Sequence, residues 1–109
     1  MLDHLRERIR AKARKQREIR LAKTLHHITS HHVVIVRRGD RTLFLLDDAV
    51  RCAQADLRER SRICHLTPDE LRREIIIDAV AYTNEILRGF DSQVARAVSY
   101  GNAEAAVTP

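Results

Sequence analysis

The sequence predicts a small, mostly helical α+β protein with a long basic N-terminal helix, a central β-hairpin and two further helices. Residues 3–30 contain no Gly or Pro and are rich in Arg, Lys, Ala, Leu, Glu and Gln, which favour helix. Two apolar runs, residues 33–36 and 43–46, flank a charged turn that contains Gly39, as in a hairpin. A chain of 109 residues fits one domain, which we place at residues 1–100.

The N-terminal helix divides into two halves of different character. Asp3 is its candidate cap, and apolar stripes at helical spacing occur near each end. Between the stripes, the segment 10–20 offers only small residues and one Ile for burial. We therefore expect the second half to dock on the body, while the first half projects or pairs with a second subunit. The stripes are Leu2, Leu5 and Ile9, then Leu21, Leu25 and Ile28.

Both hairpin strands are continuously apolar, so both faces of the hairpin need cover. An isolated two-stranded hairpin is only marginally stable in water, and two arrangements would bury its apolar faces. Helices cover both faces, or two copies join edges into a larger sheet, and we expect a homodimer. The predicted core or dimer residues are Val34, Val36, Leu43, Leu45, Ile75, Ile76 and Val80.

Capping signals divide the rest of the chain. Asp47-Asp48 predicts a cap for a helix over residues 49–60, and residues 61–66 form a connection. Thr67-Pro68, with Glu70 three residues after the Thr, predicts a helix that ends at Gly89. Beyond these two helices, we expect a short last helix over residues 92–100 and a flexible tail over residues 101–109.

Positive charge is concentrated in one segment. Residues 1–23 carry nine Lys or Arg and three Asp or Glu, a net of +6, which leaves −1 of the total of +5 for the remainder. Like charges at helical spacing repel each other, so this crowding lowers stability with no evident structural return. A row of cations neutralises phosphates, which favours nucleic-acid binding, with DNA ahead of RNA. The predicted nucleic-acid-binding residues are Arg6, Arg8, Arg10, Lys12, Arg14, Lys15, Arg17 and Arg20.

Two other interpretations of this segment remain open. The basic helix docks on an acidic protein partner, as in an inhibitor, chaperone or assembly factor, or it is a solvated helix that keeps the protein soluble. The four aromatic residues and the absence of Trp weigh against single-strand binding by base stacking.

Other polar motifs have simpler explanations than catalysis or metal binding. His27 and His31 have a metal-compatible spacing but lie at a helix-to-strand junction, and Cys52 and Cys64 lack paired spacing. Carboxylates fit caps and solvated helix faces, and the tripeptide at 38–40 fits a hairpin tip. We predict no enzyme activity, no cofactor and no metal. With neither a signal peptide nor a long apolar run, we expect a cytoplasmic protein that does not bind membranes.

Residues 20–54 resemble the N-terminal half of prevent-host-death antitoxins. That family places an Arg- and Leu-containing helix before an apolar strand, a basic turn with Gly, a second apolar strand and a capped helix. The matching segments here are RLAKTL, VVIV, RRG, TLFLL and DDAV. The resemblance implies dimerisation through the sheet and operator DNA binding by basic N-terminal residues. Three features depart from it: a long basic helix replaces the opening strand, the first helix lacks a clean signature, and the helix after Thr67 is longer and more apolar. The function expected is a nucleic-acid-binding regulator such as a repressor.

Overall fold

The computed structural model describes residues 2–107, without the side chains of residues 61–64 and 107. These residues form helix α1 (Leu2–Thr29), strands β1 (Val33–Arg38) and β2 (Arg41–Leu46), and helices α2 (Asp47–Cys64), α3 (Pro68–Arg88) and α4 (Gln93–Val107). The predicted α+β class, with a basic N-terminal helix, a central hairpin and further helices, is confirmed.

The two halves of α1 differ in how far their residues are buried. Every residue from 2 to 17 is exposed, and Leu2, Leu5 and Ile9 are 73%, 56% and 62% exposed. In the second half, Leu25 and Thr29 are buried. Since the buried residues of α1 lie in its second half, α1 is anchored at its C-terminal end.

The hairpin is antiparallel, with Ile35 opposite Phe44 and Gly39 at φ 66° in its two-residue turn. Glycine adopts this left-handed conformation without the clash that a Cβ causes. One face of the hairpin presents Leu43 and Leu45 to apolar side chains of α2, α3 and α4. The opposite face presents Phe44 to residues of α1, α3 and α4. Helices therefore cover both faces within one chain.

The seven residues predicted as core or dimer contacts lie in or beside this core. Leu43, Leu45 and Val80 are buried, while Val34, Val36, Ile75 and Ile76 are half-buried. Helices of the same chain thus cover these residues, while Ile35 of β1 remains 37% exposed.

The start of α2 differs from the prediction. Strand β2 passes directly into α2, so the N-cap is Leu46 in extended conformation, with no side-chain cap. Asp47 and Asp48 instead lie in the first helical turn, where a negative charge interacts favourably with the positive end of the helix dipole. The helix also continues to Cys64 rather than ending near residue 60, so the predicted connection shortens to residues 65–67.

The start and end of α3 are confirmed. The Thr67 hydroxyl accepts a hydrogen bond from the Glu70 amide at 3.3 Å, and Pro68 occupies the first helical position. Pro has no amide hydrogen to leave unpaired at this position. The helix ends at Gly89, whose amide donates to the Ile86 carbonyl at 3.1 Å.

The last helix is longer than predicted. Residues 101–107, predicted as part of a flexible tail, continue α4, and residues 108–109 lie outside the described part. Asn102 and Ala105 are buried at 1% and 3% exposure. The Asn102 side-chain oxygen accepts from the Phe44 amide at 2.9 Å, and its nitrogen donates to the Phe44 carbonyl at 2.8 Å. These two bonds hold the segment that contains Gly101 against β2.

Candidate nucleic-acid interface

The C-terminal end of α1 is fixed by a compact junction. Ser30 has φ 58°, which ends the helix, and its amide donates to the His26 carbonyl at 2.7 Å. The Thr29 hydroxyl donates to the Leu25 carbonyl at 2.8 Å and accepts from the His31 amide at 3.2 Å. The angle between α1 and β1 is therefore set by several short bonds rather than by a loose linker.

Glu18 makes a second attachment between α1 and the hairpin. Its carboxylate accepts from the Thr42 hydroxyl at 2.6 Å and pairs with Arg37 at 3.1 Å. Thr42 and Arg37 face each other across the two strands. The one acidic residue between Glu7 and Ser30 thus binds the hairpin, which leaves the neighbouring cations of α1 uncompensated. Sequence reasoning missed this contact because the partners are 19 and 24 positions away.

The eight predicted nucleic-acid-binding residues all lie on exposed positions of α1. At 100° per residue, Arg6, Arg10, Arg14 and Arg17 fall within one third of the helix circumference. Arg8, Lys12 and Lys15 lie on another side, and Arg20 lies beyond the first group. The cations therefore surround the helix rather than forming one row.

Within residues 2–107, none of these eight side chains forms an ion pair or hydrogen bond with a carboxylate. Arg6 and Arg17 are separated by about 16 Å along the axis at 1.5 Å per residue. One strand of B-form DNA places roughly five phosphates in that length. The arrangement suits electrostatic contact with a phosphate backbone.

The junction histidines serve structure in this arrangement. His26 donates from Nδ1 to the His31 carbonyl at 2.7 Å, and His31 Nδ1 lies 2.7 Å from the Asp48 carboxylate. The end of α1 at Thr29 separates His31 from the helical spacing that a shared metal with His27 requires. Among residues whose side chains are described, no group of three or more His, Cys, Asp or Glu is placed to hold a metal ion. Cys64 lies outside that set.

The surface between α2 and α3 carries the opposite charge to α1. Asp56, Asp78 and Glu85 line a hollow of about 180 Å³, with Arg60 beside Asp78 at 3.8 Å. The Tyr82 hydroxyl donates to Asp56, and this hydrogen bond, together with the charge of the carboxylate, raises the pKa of Tyr82. The structure thus separates a basic helix from an acidic patch.

No protein-family model matches the sequence, and comparisons with curated proteins and with solved structures returned no match. In the part of the chain that the structure describes, no helix has the length and apolar character needed to cross a bilayer.

Proposed function

We propose that this protein is a nucleic-acid-binding regulator that contacts the phosphate backbone of DNA, or secondarily of RNA, through α1. The observation that carries the proposal is a set of eight exposed cations, none paired with a carboxylate of the described residues, on a helix that is anchored at one end. An anchored helix loses less orientational freedom on binding than a disordered basic tail, so more of the electrostatic gain remains as affinity.

The regulatory assignment is supported by the resemblance of residues 20–54 to prevent-host-death antitoxins, which implies operator binding by basic N-terminal residues. Such a repressor acts in the cytoplasm and needs neither catalysis nor a cofactor. The proposed binding is chiefly to the backbone, because the cations lie around the circumference of α1 and only some of them can face base edges in one groove.

Binding of labelled duplex DNA and RNA of mixed sequence, measured by fluorescence anisotropy at several salt concentrations, tests this proposal. Each phosphate contact contributes about 0.9 to the slope of log K against log salt for a duplex. Replacing Arg10, Arg14 and Arg17 by Ala therefore lowers the slope by up to about 2.7. A matched variant with Arg72, Arg73 and Arg88 of α3 replaced by Ala removes the same charge from exposed positions of the body.

We expect the α1 variant to lose salt-dependent affinity and the α3 variant to retain it. Wild-type protein without salt-sensitive binding overturns the proposal. Equal losses in both variants also overturn it, because they assign the binding to net charge rather than to α1.

A homodimer is the second part of the proposal. Since helices of the same chain cover most of the hairpin, we place the contact on the exposed apolar stripe of Leu2, Leu5 and Ile9, where two projecting helices pack together. Sedimentation equilibrium of wild type and of the Leu5→Lys variant tests it. A wild-type protein that is monomeric at all concentrations measured contradicts the dimer, and an unchanged dimer in the variant contradicts its location.

A further inference from the structure

A groove runs between the second half of α1 and the outer side of β1. It consists of two adjoining hollows of about 430 and 330 Å³, and Ile19 of α1 and Ile35 of β1 line both. These two side chains are 40% and 37% exposed, an unusual state for Ile in the middle of packed elements. The groove floor is therefore apolar and open to solvent.

Positive charge borders both ends of this floor. Arg14 and Lys15 line the hollow near the hairpin tip, and Lys23 lines the hollow near the junction. The one carboxylate in the lining, Glu18, already binds Arg37. An occupant with an apolar centre and negative charges at both ends matches this distribution.

The backbone of β1 offers hydrogen-bonding groups along the same groove. Phe44, the register partner of Ile35, directs its amide and carbonyl away from β1 to the Asn102 side chain. In an antiparallel pair of this kind the peptide groups of both partners point outward. The amide and carbonyl of Ile35 therefore face the open edge, and no described residue bonds to them. An extended peptide binds such an edge as an additional strand.

A second copy of the chain fits this groove poorly. Antiparallel pairing of two β1 strands about Ile35 brings the two α1 helices side by side, crossing near Ile19. The residues four before and four after the crossing are Lys15 and Lys23, so lysine meets lysine on both sides of the axis. Like charges in opposed positions disfavour association.

We propose that this groove is a docking site for an extended acidic peptide segment of a partner protein, which adds as a strand to the edge of β1. The segment carries an apolar residue opposite Ile35 and an acidic residue two positions away on each side, since alternate residues of a strand share one face. The site is separate from the proposed nucleic-acid contact except at Lys15 and Arg14. It makes the protein an adaptor that joins a partner to nucleic acid.

Anisotropy of a fluorescein-labelled peptide, Ser-Glu-Thr-Ile-Thr-Glu-Ser, tests the proposal on the full chain. We expect saturable binding that weakens at least about tenfold when the central amide is N-methylated, because methylation removes the strand hydrogen bond at the centre. A peptide of the same composition with its two Glu adjacent binds more weakly. Equal binding of all three peptides overturns the proposal, since it indicates unspecific attraction to the basic helix.

Variants of the protein separate the groove from the nucleic-acid surface. Lys23→Glu, which changes a residue that lines the groove but is outside the eight predicted contacts, weakens peptide binding about five- to tenfold and preserves nucleic-acid affinity within about twofold. Lys12→Glu, the same change at a residue that does not line the groove, has the opposite pattern. Identical responses of the two variants overturn the proposal.

Two further variants test the floor and the edge. Ile35→Pro removes the outward amide of β1, and Ile19→Glu introduces a negative charge into the groove floor from α1. Because the two substitutions lie on different elements, one variant still tests the groove if the other misfolds. Both abolish peptide binding while circular dichroism stays that of the wild type. If folded Ile35→Pro instead loses oligonucleotide binding, or converts a wild-type dimer into a monomer, the groove belongs to nucleic acid or to a second copy and the proposal fails.

Discussion

The two edges of the hairpin are made of similar apolar residues but end in different environments. Along β2, the amide and carbonyl of Phe44 bind Asn102 of α4, and the amide of Leu46 donates to the Thr83 hydroxyl of α3 at 3.1 Å. Along β1, the corresponding groups of Ile35 have no described partner. The comparison shows that a two-stranded sheet is protected on one edge by helix side chains and remains available on the other.

The difference follows from which groups the core covers. Asn102 and Thr83 are 1% and 0% exposed, so the β2 edge is shielded from water and its peptide groups need protein partners. At the β1 edge, Ile35 is 37% exposed, so solvent can reach this part of the strand. Peptide groups at a buried edge need hydrogen-bond partners from within the protein, whereas those at a solvent-accessible edge do not.

The largest effect is expected at the protected edge. Asn102→Ala leaves the amide and carbonyl of Phe44 buried without partners and also creates a cavity, which lowers the free energy of unfolding by about 2–5 kcal/mol. Urea denaturation measures the loss. Gln93→Ala, which truncates an exposed carboxamide on the same helix, changes stability by less than about 0.5 kcal/mol. Comparable losses in the two variants refute the closure of β2 by Asn102.

Proline substitutions in β1 compare inward and outward amides within one strand. Val34 pairs with Leu45 at a position whose amide points toward β2, so Val34→Pro removes a ladder bond and lowers the free energy of unfolding by about 3 kcal/mol. At Ile35, where the amide points outward, proline lowers it by only about 1 kcal/mol. Thermal unfolding of both variants gives the ranking, and a reversed order contradicts the open edge.

A smaller loss is expected at the second bond of the protected edge. Thr83→Val keeps the side-chain shape but leaves the Leu46 amide unpaired, which lowers the free energy of unfolding by about 1–2 kcal/mol. Thr24, whose hydroxyl donates to the Arg20 carbonyl at an exposed site, provides the matched Thr→Val control with little change. Amide exchange resolves the site directly, since the Leu46 amide then loses its protection.

The smallest effect concerns the turn that both edges share. Gly39 has φ 66° with open space around it, so Gly39→Ala strains the backbone without a steric collision. The expected loss is about 1 kcal/mol, with the difference in exchange between Phe44 and Ile35 amides unchanged. If that difference disappears, the asymmetry of the edges depends on the turn rather than on α3 and α4.

Local chemistry explains what could be predicted from the sequence. The β-branched run of β1, the Gly at the turn and the Thr67–Pro68 start of α3 each act through the backbone of their own segment. These local structures can therefore be predicted without knowledge of the tertiary fold. The basic segment was also visible, because charge is read directly from residue type.

Long-range partners explain what could not be predicted. The sequence suggested a flexible tail over residues 101–109, but Asn102 binds Phe44 from 58 positions away and holds α4 in place. Asp47 and Asp48 suggested a cap, but β2 enters α2 without a loop, so an extended Leu46 takes that position. In the candidate sites, the groove was missed because Ile19 and Ile35 meet only after α1 folds back on β1.

The attachment of α4 to β2 has a consequence for the order of events on the ribosome. Translation delivers the hairpin long before Asn102, so a nascent chain that has reached only α3 carries two strand edges with unpaired peptide groups at Phe44 and Ile35. Unpaired edges in an incomplete chain favour pairing with neighbouring chains. Docking of α4 on β2 is thus the step that pairs the Phe44 peptide groups and lowers the tendency of the hairpin to associate through its β2 edge.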